Sequence, residues 1–296
     1  MSGIVIINKG EGISSQGVVK RVGKLFSEKK AGHTGTLDPL ATGVLPVLIG
    51  RAVKASEYML SSDKYYRATL RLGFSTDTED ITGECLSVCT SIPSEEEVLS
   101  VIASFVGEIQ QVPPMYSALK VGGKKLCDMA RAGQTIERVP RRVSIFSIRA
   151  EKISETDYSL DIHCSKGTYI RTLCADIGKA LGCGGVMAAL CRTKASHFTL
   201  EDAYTLEQIE AMPEERRAEL IIPVERIFEN LPKVTLEPFF SRLALAGAEI
   251  YLSKIGADLG LGQRVRLYHE KGFFALGEVR EFEGGLAVKP IKLFEL

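Results

Sequence analysis

The segment AGHTGTLDPLATG, residues 31–43, runs directly into the apolar stretch VLPVLI of residues 44–49. Three glycines and three threonines among its thirteen residues argue against a helix. We therefore expect a loop over residues 27–43 that leads into a buried strand. Asp38 lies within this loop, and the proline that follows it restricts the backbone of both residues.

Asp38 is the one carboxylate between Glu28 and Glu57, whereas four lysines and arginines share that interval. An aspartate held rigidly among small residues in a basic setting is expected to keep a low pKa and to remain ionised. Such a carboxylate suits a nucleophile or an electrostatic stabiliser better than a proton donor. Spacing alone leaves a second interpretation open, in which Asp38 only caps the turn.

Strand and helix patterns alternate on both sides of this loop. Residues 3–8 are apolar and predict a strand, and residues 15–26 carry apolar side chains at helical spacing. Further along, the patterns predict a helix at 51–60, a strand at 64–72, a helix ending at 105, a hairpin of strands at 143–153 and 158–164, and a helix at 169–181.

The composition changes after residue 200. Residues 200–230 hold nine acidic and three basic residues. From about residue 234, short strand patterns alternate with glycine-containing turns, which is typical of a compact barrel-like module. We place the boundary between two domains between residues 231 and 232.

The charges are segregated although the net charge is zero, with 37 basic and 37 acidic residues. Residues 110–149 hold eight basic residues against two acidic ones. A local basic stretch is what an RNA-binding surface needs, because counterion release depends on the patch and not on the total charge. The same pattern also fits a solvated face without a ligand.

Several classes of protein are excluded or disfavoured. The longest charge-free stretches have twelve residues, whereas a membrane-spanning helix needs roughly 20 apolar residues. The N-terminus lacks the features of a signal peptide, and seven scattered cysteines without a CxxC pair predict reduced thiols in a cytoplasmic protein. Phosphate-loop and dinucleotide motifs are absent, so cofactor-free and metal-free chemistry at a carboxylate remains.

Six segments, in order, resemble the TruB family of tRNA pseudouridine-55 synthases: GHTGTLDPLATGVLPV at 32–47, DKYYRA at 63–68, TDTED at 76–80, PPMYSALK at 113–120, CSKGTYIRTL at 164–173 and LCRT at 190–193. The tail resembles a PUA module. The resemblance implies an α+β catalytic domain over residues 1–231, built on a mixed, largely antiparallel sheet, and a small PUA-like β-barrel over residues 232–296. It also implies an isomerase that converts uridine 55 in the T loop of tRNA to pseudouridine without cofactor or metal.

The resemblance also assigns catalytic roles by position. Asp38 corresponds to the nucleophile, and Arg171 to the partner that holds this carboxylate ionised. Tyr66 corresponds to the aromatic residue that stacks on the uracil near carbon 5, where a proton must leave. Direct attack on the sugar and elimination to a glycal would use the same residues, so both routes stay open.

Further residues are assigned to RNA binding. The target base must be flipped out of the T loop, and His33 would fill or brace the vacated space. Tyr169 and Leu190 would line the uracil pocket. The basic insertion at residues 120–142 would close on the T stem-loop and contact phosphates through Lys124, Lys125, Arg131, Arg141 and Arg142.

Two alternatives remain. The first is a guide-RNA-dependent relative that acts on ribosomal RNA, against which the basic insertion at 120–142 argues. The second is a non-catalytic tRNA-binding or RNA-folding protein, against which the intact set of Asp38, Tyr66 and Arg171 argues. We expect a monomer that binds the T stem-loop of tRNA with neither a membrane nor an obligatory protein partner.

Overall fold

A large mixed sheet and a smaller sheet organise the chain, which the computed structural model describes over residues 1–117 and 119–294, without the side chains of Lys120 and Lys125. The strands are β1 (Gly3–Lys9), β2 (Ala31–His33), β3 (Thr42–Ile49), β4 (Lys64–Leu72), β5 (Phe74–Thr76), β6 (Cys85–Val88), β7 (Gly107–Gln111), β8 (Lys120–Val121), β9 (Lys124–Lys125), β10 (Arg141–Lys152), β11 (Asp157–Cys164), β12 (Gly185–Ala195), β13 (Phe198–Thr199), β14 (Lys233–Thr235), β15 (Ile250–Tyr251), β16 (Arg264–His269), β17 (Gly272–Phe282) and β18 (Gly285–Leu293).

The helices lie between these strands. They are α1 (Ser15–Leu25), α2 (Ser56–Leu60), α3 (Glu95–Ser104), α4 (Leu126–Arg131), α5 (Ile170–Ala180), α6 (Leu206–Ala211), α7 (Glu214–Arg217), α8 (Pro238–Leu245) and α9 (Leu252–Ile255), with 3₁₀ turns at Gly50–Ala55, Leu200–Asp202, Ala218–Leu220 and Val224–Phe228. Within the described ranges, every helix is too short or too polar to cross a lipid bilayer.

The large sheet has the strand order β1-β3-β12-β4-β11-β10-β7, with β2 paired to β3 and β13 to β12. Neighbouring strands are antiparallel except β3 and β12, which run parallel. Gly43 permits this parallel contact, because a Cβ atom there would come 2.3 Å from the carbonyl oxygen of Arg192. The expected mixed, largely antiparallel sheet of an α+β protein is therefore confirmed.

Four strands of this sheet, β2, β7, β12 and β13, were not predicted from the sequence, and the differences at β12 and β2 have clear physical reasons. β12 was not predicted, although it lies at the centre of the sheet between β3 and β4. Its first six residues, Gly185 to Leu190, are small or apolar without clear alternation, as is usual for a strand covered on both faces. β2 lies inside the predicted loop at 27–43, because pairing with the apolar strand β3 extends three of its residues.

Helices α1 and α5 pack on the sheet and bring the candidate site together. The hydroxyl of Ser14 caps α1, which buries Val18 and Val22 in the main core. Helix α5 buries Leu173 and Ile177 in the same core. This packing places the first turn of α5 beside the loop that follows β2.

The C-terminal sheet has the strand order β14-β16-β17-β18-β15 and forms a half-barrel. The predicted small β-barrel is therefore confirmed only as a half-barrel, since no ladder in the described residues joins β14 to β15. The sheet has its own apolar core, which includes Leu267, Phe274 and Val288. A second cluster, with Ile6 of β1 and Leu276 of β17 among its members, connects the two sheets.

Candidate active site

The loop that carries Asp38 is held by buried polar groups. Lys9 is fully buried, and its ammonium group donates to the carbonyl oxygen of Pro39 at 3.1 Å. The hydroxyl of Ser15 bonds both the N–H and the carbonyl of Leu37, each at 2.8 Å. Because the residues on both sides of Asp38 are anchored to β1 and α1, its backbone is fixed before any ligand binds.

Asp38 forms an ion pair with Arg171, whose Nε lies 3.0 Å from the aspartate Oδ2. Arg171 is buried, and its Nη atoms donate to the carbonyl oxygens of Thr78 at 2.9 Å and Tyr116 at 2.8 Å. Asp80 faces the same guanidinium at 3.7 Å. The arginine therefore joins the Asp38 loop, the loop after β5 and the segment just before the basic insertion.

The electrostatic setting of Asp38 differs from the sequence-based expectation. Burial raises the pKa of the Asp38 carboxyl, and the positive charge of Arg171 only partly opposes this rise. The expected low pKa is therefore wrong in direction. The basic residues that flank Asp38 along the chain do not set its pKa, because the fold partly buries the carboxyl and leaves Arg171 as its main partner.

A cavity of about 310 Å³ opens beside Asp38. The five residues assigned to catalysis and uracil binding all line it: Asp38, Tyr66, Tyr169, Arg171 and Leu190. Gln111 holds the backbone of Tyr169 through two hydrogen bonds of 3.0 and 3.1 Å, at the point where α5 begins. The cavity thus combines a paired carboxylate, three tyrosine rings, including that of Tyr116, and an aliphatic wall.

His33 lies in an adjoining cavity that Asp38 and Arg171 also line. It is half-buried, and burial lowers its pKa, which favours the neutral ring. Its Nδ1 is buried and has no hydrogen-bond partner among the described residues. A neutral, partly exposed ring next to the carboxylate can stack on a base without electrostatic cost.

The residues of the basic insertion occupy two places. Arg131 ends α4 and lines the cavity that contains His33. Lys124 is exposed on β9, while Arg141 and Arg142 are exposed at the start of β10. The side chain of Lys125 lies outside the described part of the structure.

The cavity also contains charged residues to which the sequence assigned no role. Lys64 and Arg192 line it, and both are almost fully buried. Arg192 is two residues from Leu190 on β12, and strand periodicity places such residues on one face. The signal was therefore present in the sequence, but it required recognition of β12 as a strand.

Metal ligation finds no support in this geometry. Across the described residues, side chains of His, Cys, Asp and Glu do not gather in groups of three that could hold a metal ion. The cavity offers instead a carboxylate bound to an arginine, which can act as a nucleophile or stabilise a developing positive charge on a sugar.

Comparison with known families accounts for this arrangement. Residues 23–170 match the family model of the TruB pseudouridylate synthase N-terminal domain, and residues 171–229 match that of the tRNA pseudouridylate synthase B C-terminal domain. The chain belongs to the TruB family. It is therefore a pseudouridine synthase by descent, as the motifs from residue 32 to residue 193 indicate.

Individual TruB relatives are similar along nearly the whole chain. The tRNA pseudouridine synthase B of Alkaliphilus oremlandii is 45% identical over 282 residues, which cover 95% of this chain and 94% of the relative. The protein of the same name from Ralstonia pickettii is 44% identical over 304 residues, covering 99% and 94%.

Solved structures show the same fold at lower identity. A chain in the crystal structure of a Cbf5-Nop10-Gar1 complex superimposes with a TM-score of 0.74 at 28% identity, covering 99% of this chain and 85% of that one. A chain of an H/ACA RNP bound to a substrate RNA containing 2′-deoxyuridine gives a TM-score of 0.73 at 26% identity, with the same coverage.

Proposed function

We propose that the chain isomerises uridine 55 in the T loop of tRNA to pseudouridine, with Asp38 as the reacting carboxylate and without a cofactor. The observation that carries this proposal is the ion pair of Asp38 with the buried Arg171 on the wall of a cavity lined by Tyr66 and Leu190. The relatives named tRNA pseudouridine synthase B that are 45% and 44% identical to this chain support tRNA as the substrate.

The proposed chemistry follows from the position of these groups. A flipped uridine enters with its uracil ring against Tyr66 and Leu190, and its sugar reaches Asp38. The carboxylate either attacks C1′ and forms an ester, or takes the proton from C2′ to give a glycal, and in both routes the bond between C1′ and N1 breaks. The uracil turns and C5 bonds to C1′, while the ester bond breaks or the C2′ proton returns. The proton on C5 then leaves near Tyr66, and N1 takes up a proton. His33 occupies the space that the flipped base leaves in the T loop.

The rest of the chain would bind the RNA. We propose that residues 1–231 form the catalytic domain and residues 232–296 a PUA-type RNA-binding domain. The insertion at 120–142 would hold the T stem through phosphates, which positions the RNA without reading its sequence. We propose that the protein acts in the cytoplasm as a monomer. Catalysis would need no second subunit, since every group named here comes from one chain.

A T-arm RNA carrying 5-tritiated uridine tests this function. The protein alone should release tritium from the single uridine at position 55, and an RNA with cytidine at that position should release none. Activity that requires a guide RNA and partner proteins would favour a ribosomal RNA target. Binding of the T arm without tritium release would favour the non-catalytic RNA-binding alternative.

Neutralising the basic insertion is expected to weaken RNA binding. In a Lys124→Ala, Arg131→Ala variant we expect a higher Kd and a salt dependence whose log–log slope is shallower by roughly 0.7–0.9 per lost phosphate contact. Binding isotherms at several salt concentrations measure both effects. Arg149→Ala is the matched control, since Arg149 lies at the other end of β10 and pairs with Glu151 at 2.7 Å. An unchanged slope in the double variant would show that the insertion is a solvated surface that does not contact RNA phosphates.

A further inference from the structure

Arg192 is a buried cation on the wall of the uracil cavity. It is 1% exposed, and its guanidinium donates to the carbonyl oxygens of Val44 at 2.7 Å and Gly35 at 3.1 Å. Neither partner carries a charge, and no carboxylate of the described residues forms an ion pair with it. Burying a cation without an anionic partner costs free energy of folding, so we asked what such a cation could contribute in a binding cavity.

The charges around the cavity are unbalanced. Asp38 and Asp80 both face Arg171, and among the described residues no carboxylate forms an ion pair with Arg192 or Lys64. The ammonium group of Lys64 donates to the carbonyl oxygens of Leu60 and Ser62. Burial lowers the pKa of Lys64 to about 8, and the nearby charge of Arg192 contributes to this shift. The wall formed by these two residues is therefore positive at neutral pH.

This positive wall lies beside Tyr66. Arg192 on β12 and Tyr66 on β4 are direct cross-strand neighbours, and both line the cavity. Burial raises the pKa of the Tyr66 hydroxyl, and the guanidinium of Arg192 opposes that rise. A ring stacked on Tyr66 would therefore lie within the field of Arg192, in a site where water screens charges poorly.

We propose that Arg192, assisted by Lys64, stabilises the negative charge that develops on uracil when its bond to the sugar breaks. The inference rests on the function proposed above. When the bond between C1′ and N1 breaks, its electron pair remains on uracil, which becomes a monoanion delocalised over the ring. When C5 bonds to C1′, that charge is used in the new bond, the C5 proton leaves and N1 takes up a proton. A fixed cation lowers the energy of the anion on both sides of the rotation.

The test compares uridine with 5-fluorouridine at position 55 of the T-arm RNA. Fluorine withdraws electrons, so 5-fluorouracil leaves as a weaker base and needs less stabilisation by the protein. Single-turnover consumption of the parent nucleoside is followed by nuclease digestion and chromatography, and RNA affinity is measured separately. Arg192→Gln should slow uridine consumption by roughly 100-fold, the usual effect of losing one preorganised stabilising group. The loss on 5-fluorouridine should be clearly smaller, while the Kd for RNA stays the same.

Two further variants separate charge from structure. Arg192→Lys keeps the charge and should keep the wild-type ratio of the two rates. Arg217→Gln is the matched control, because Arg217 is also held by backbone carbonyl oxygens, those of Ile209 and Glu210, but lies outside the cavity. If Arg192→Gln fails to fold, Lys64→Met takes its place, since it leaves both carbonyl contacts of Arg192 intact. Lys64→Met should change the ratio of the uridine and 5-fluorouridine rates in the same direction as Arg192→Gln, by a smaller factor.

The outcomes are distinct. An equal loss on both substrates would show that Arg192 only supports the loop, and a loss explained by RNA affinity would make it a phosphate contact; either result overturns the proposal. If the wild-type protein consumes neither substrate, the proposed function itself fails. A larger loss on uridine than on 5-fluorouridine supports the stabilisation of the leaving base.

Discussion

Asp38→Asn is expected to stop tritium release from the T-arm RNA, with kcat lower by at least roughly 10⁴-fold, as is typical when a nucleophile is removed. Asparagine has nearly the same shape, and its amide oxygen can still accept from Nε of Arg171, which lies 3.0 Å from Oδ2 of Asp38. The variant therefore loses the charge and the nucleophilic oxygen but keeps the cavity. RNA affinity and thermal unfolding should remain close to those of the wild type.

Asp161→Asn is the matched control for this experiment. Asp161 also pairs with an arginine, since its Oδ1 lies 2.8 Å from Nε of Arg67, but both side chains are exposed on the sheet. Its replacement should leave kcat unchanged. Turnover near the wild-type rate in Asp38→Asn would contradict the role of Asp38, whereas a matching loss in Asp161→Asn would point to a general effect on folding.

Arg171→Met should lower kcat by about 10²–10³-fold and make it more sensitive to acid. Burial already raises the pKa of Asp38, and the guanidinium is the main influence that lowers it. Without Arg171 the pKa of Asp38 rises further. Because only the ionised carboxylate can react, kcat falls as the pH drops through this pKa. The acid limb of the pH profile should therefore move toward neutral pH, and Arg171→Lys should move it back in part.

The measurement is kcat for tritium release across the acidic and neutral range. Arg71→Met is the control, since it removes a 2.7 Å ion pair with Asp157 at the far end of β4 from the cavity. Its acid limb should match that of the wild type. If Arg171→Met lost activity with an unchanged acid limb, Arg171 would act by holding the loops at Thr78 and Tyr116 in place and not through its charge.

Local sequence was sufficient to predict most elements around the site. The apolar run after Gly43 predicted β3, the helical spacing after Ser14 predicted α1, and two alternating segments predicted the pair of β10 and β11. These signals are local, since each depends on the period of apolar side chains within one segment. β12 lacked such a period because its first six residues are small or apolar without alternation, although β3 and β4 pair with its two edges and helix α5 packs against it.

The candidate site was predicted only in part, and for a similar reason. The motifs around Asp38, Tyr66 and Arg171 identified residues that do line one cavity. Their roles stay predictions until the variants are measured. Arg192 received no role because this required β12 to be recognised as a strand, and because its lack of an ion pair with any described carboxylate depends on how Asp38 and Asp80 are shared with Arg171.

The sequence alone determined the family, the reacting carboxylate as a candidate and the order of most strands and helices, because these depend on residue types and on short-range periodicity. The tertiary structure decided that Arg171, far from Asp38 along the chain, lies 3.0 Å from it, and that Arg192 remains unpaired by any described carboxylate. It also decided that burial raises the pKa of Asp38. Desolvation and charge pairing depend on which distant segments are in contact, and the packing of the whole chain determines those contacts.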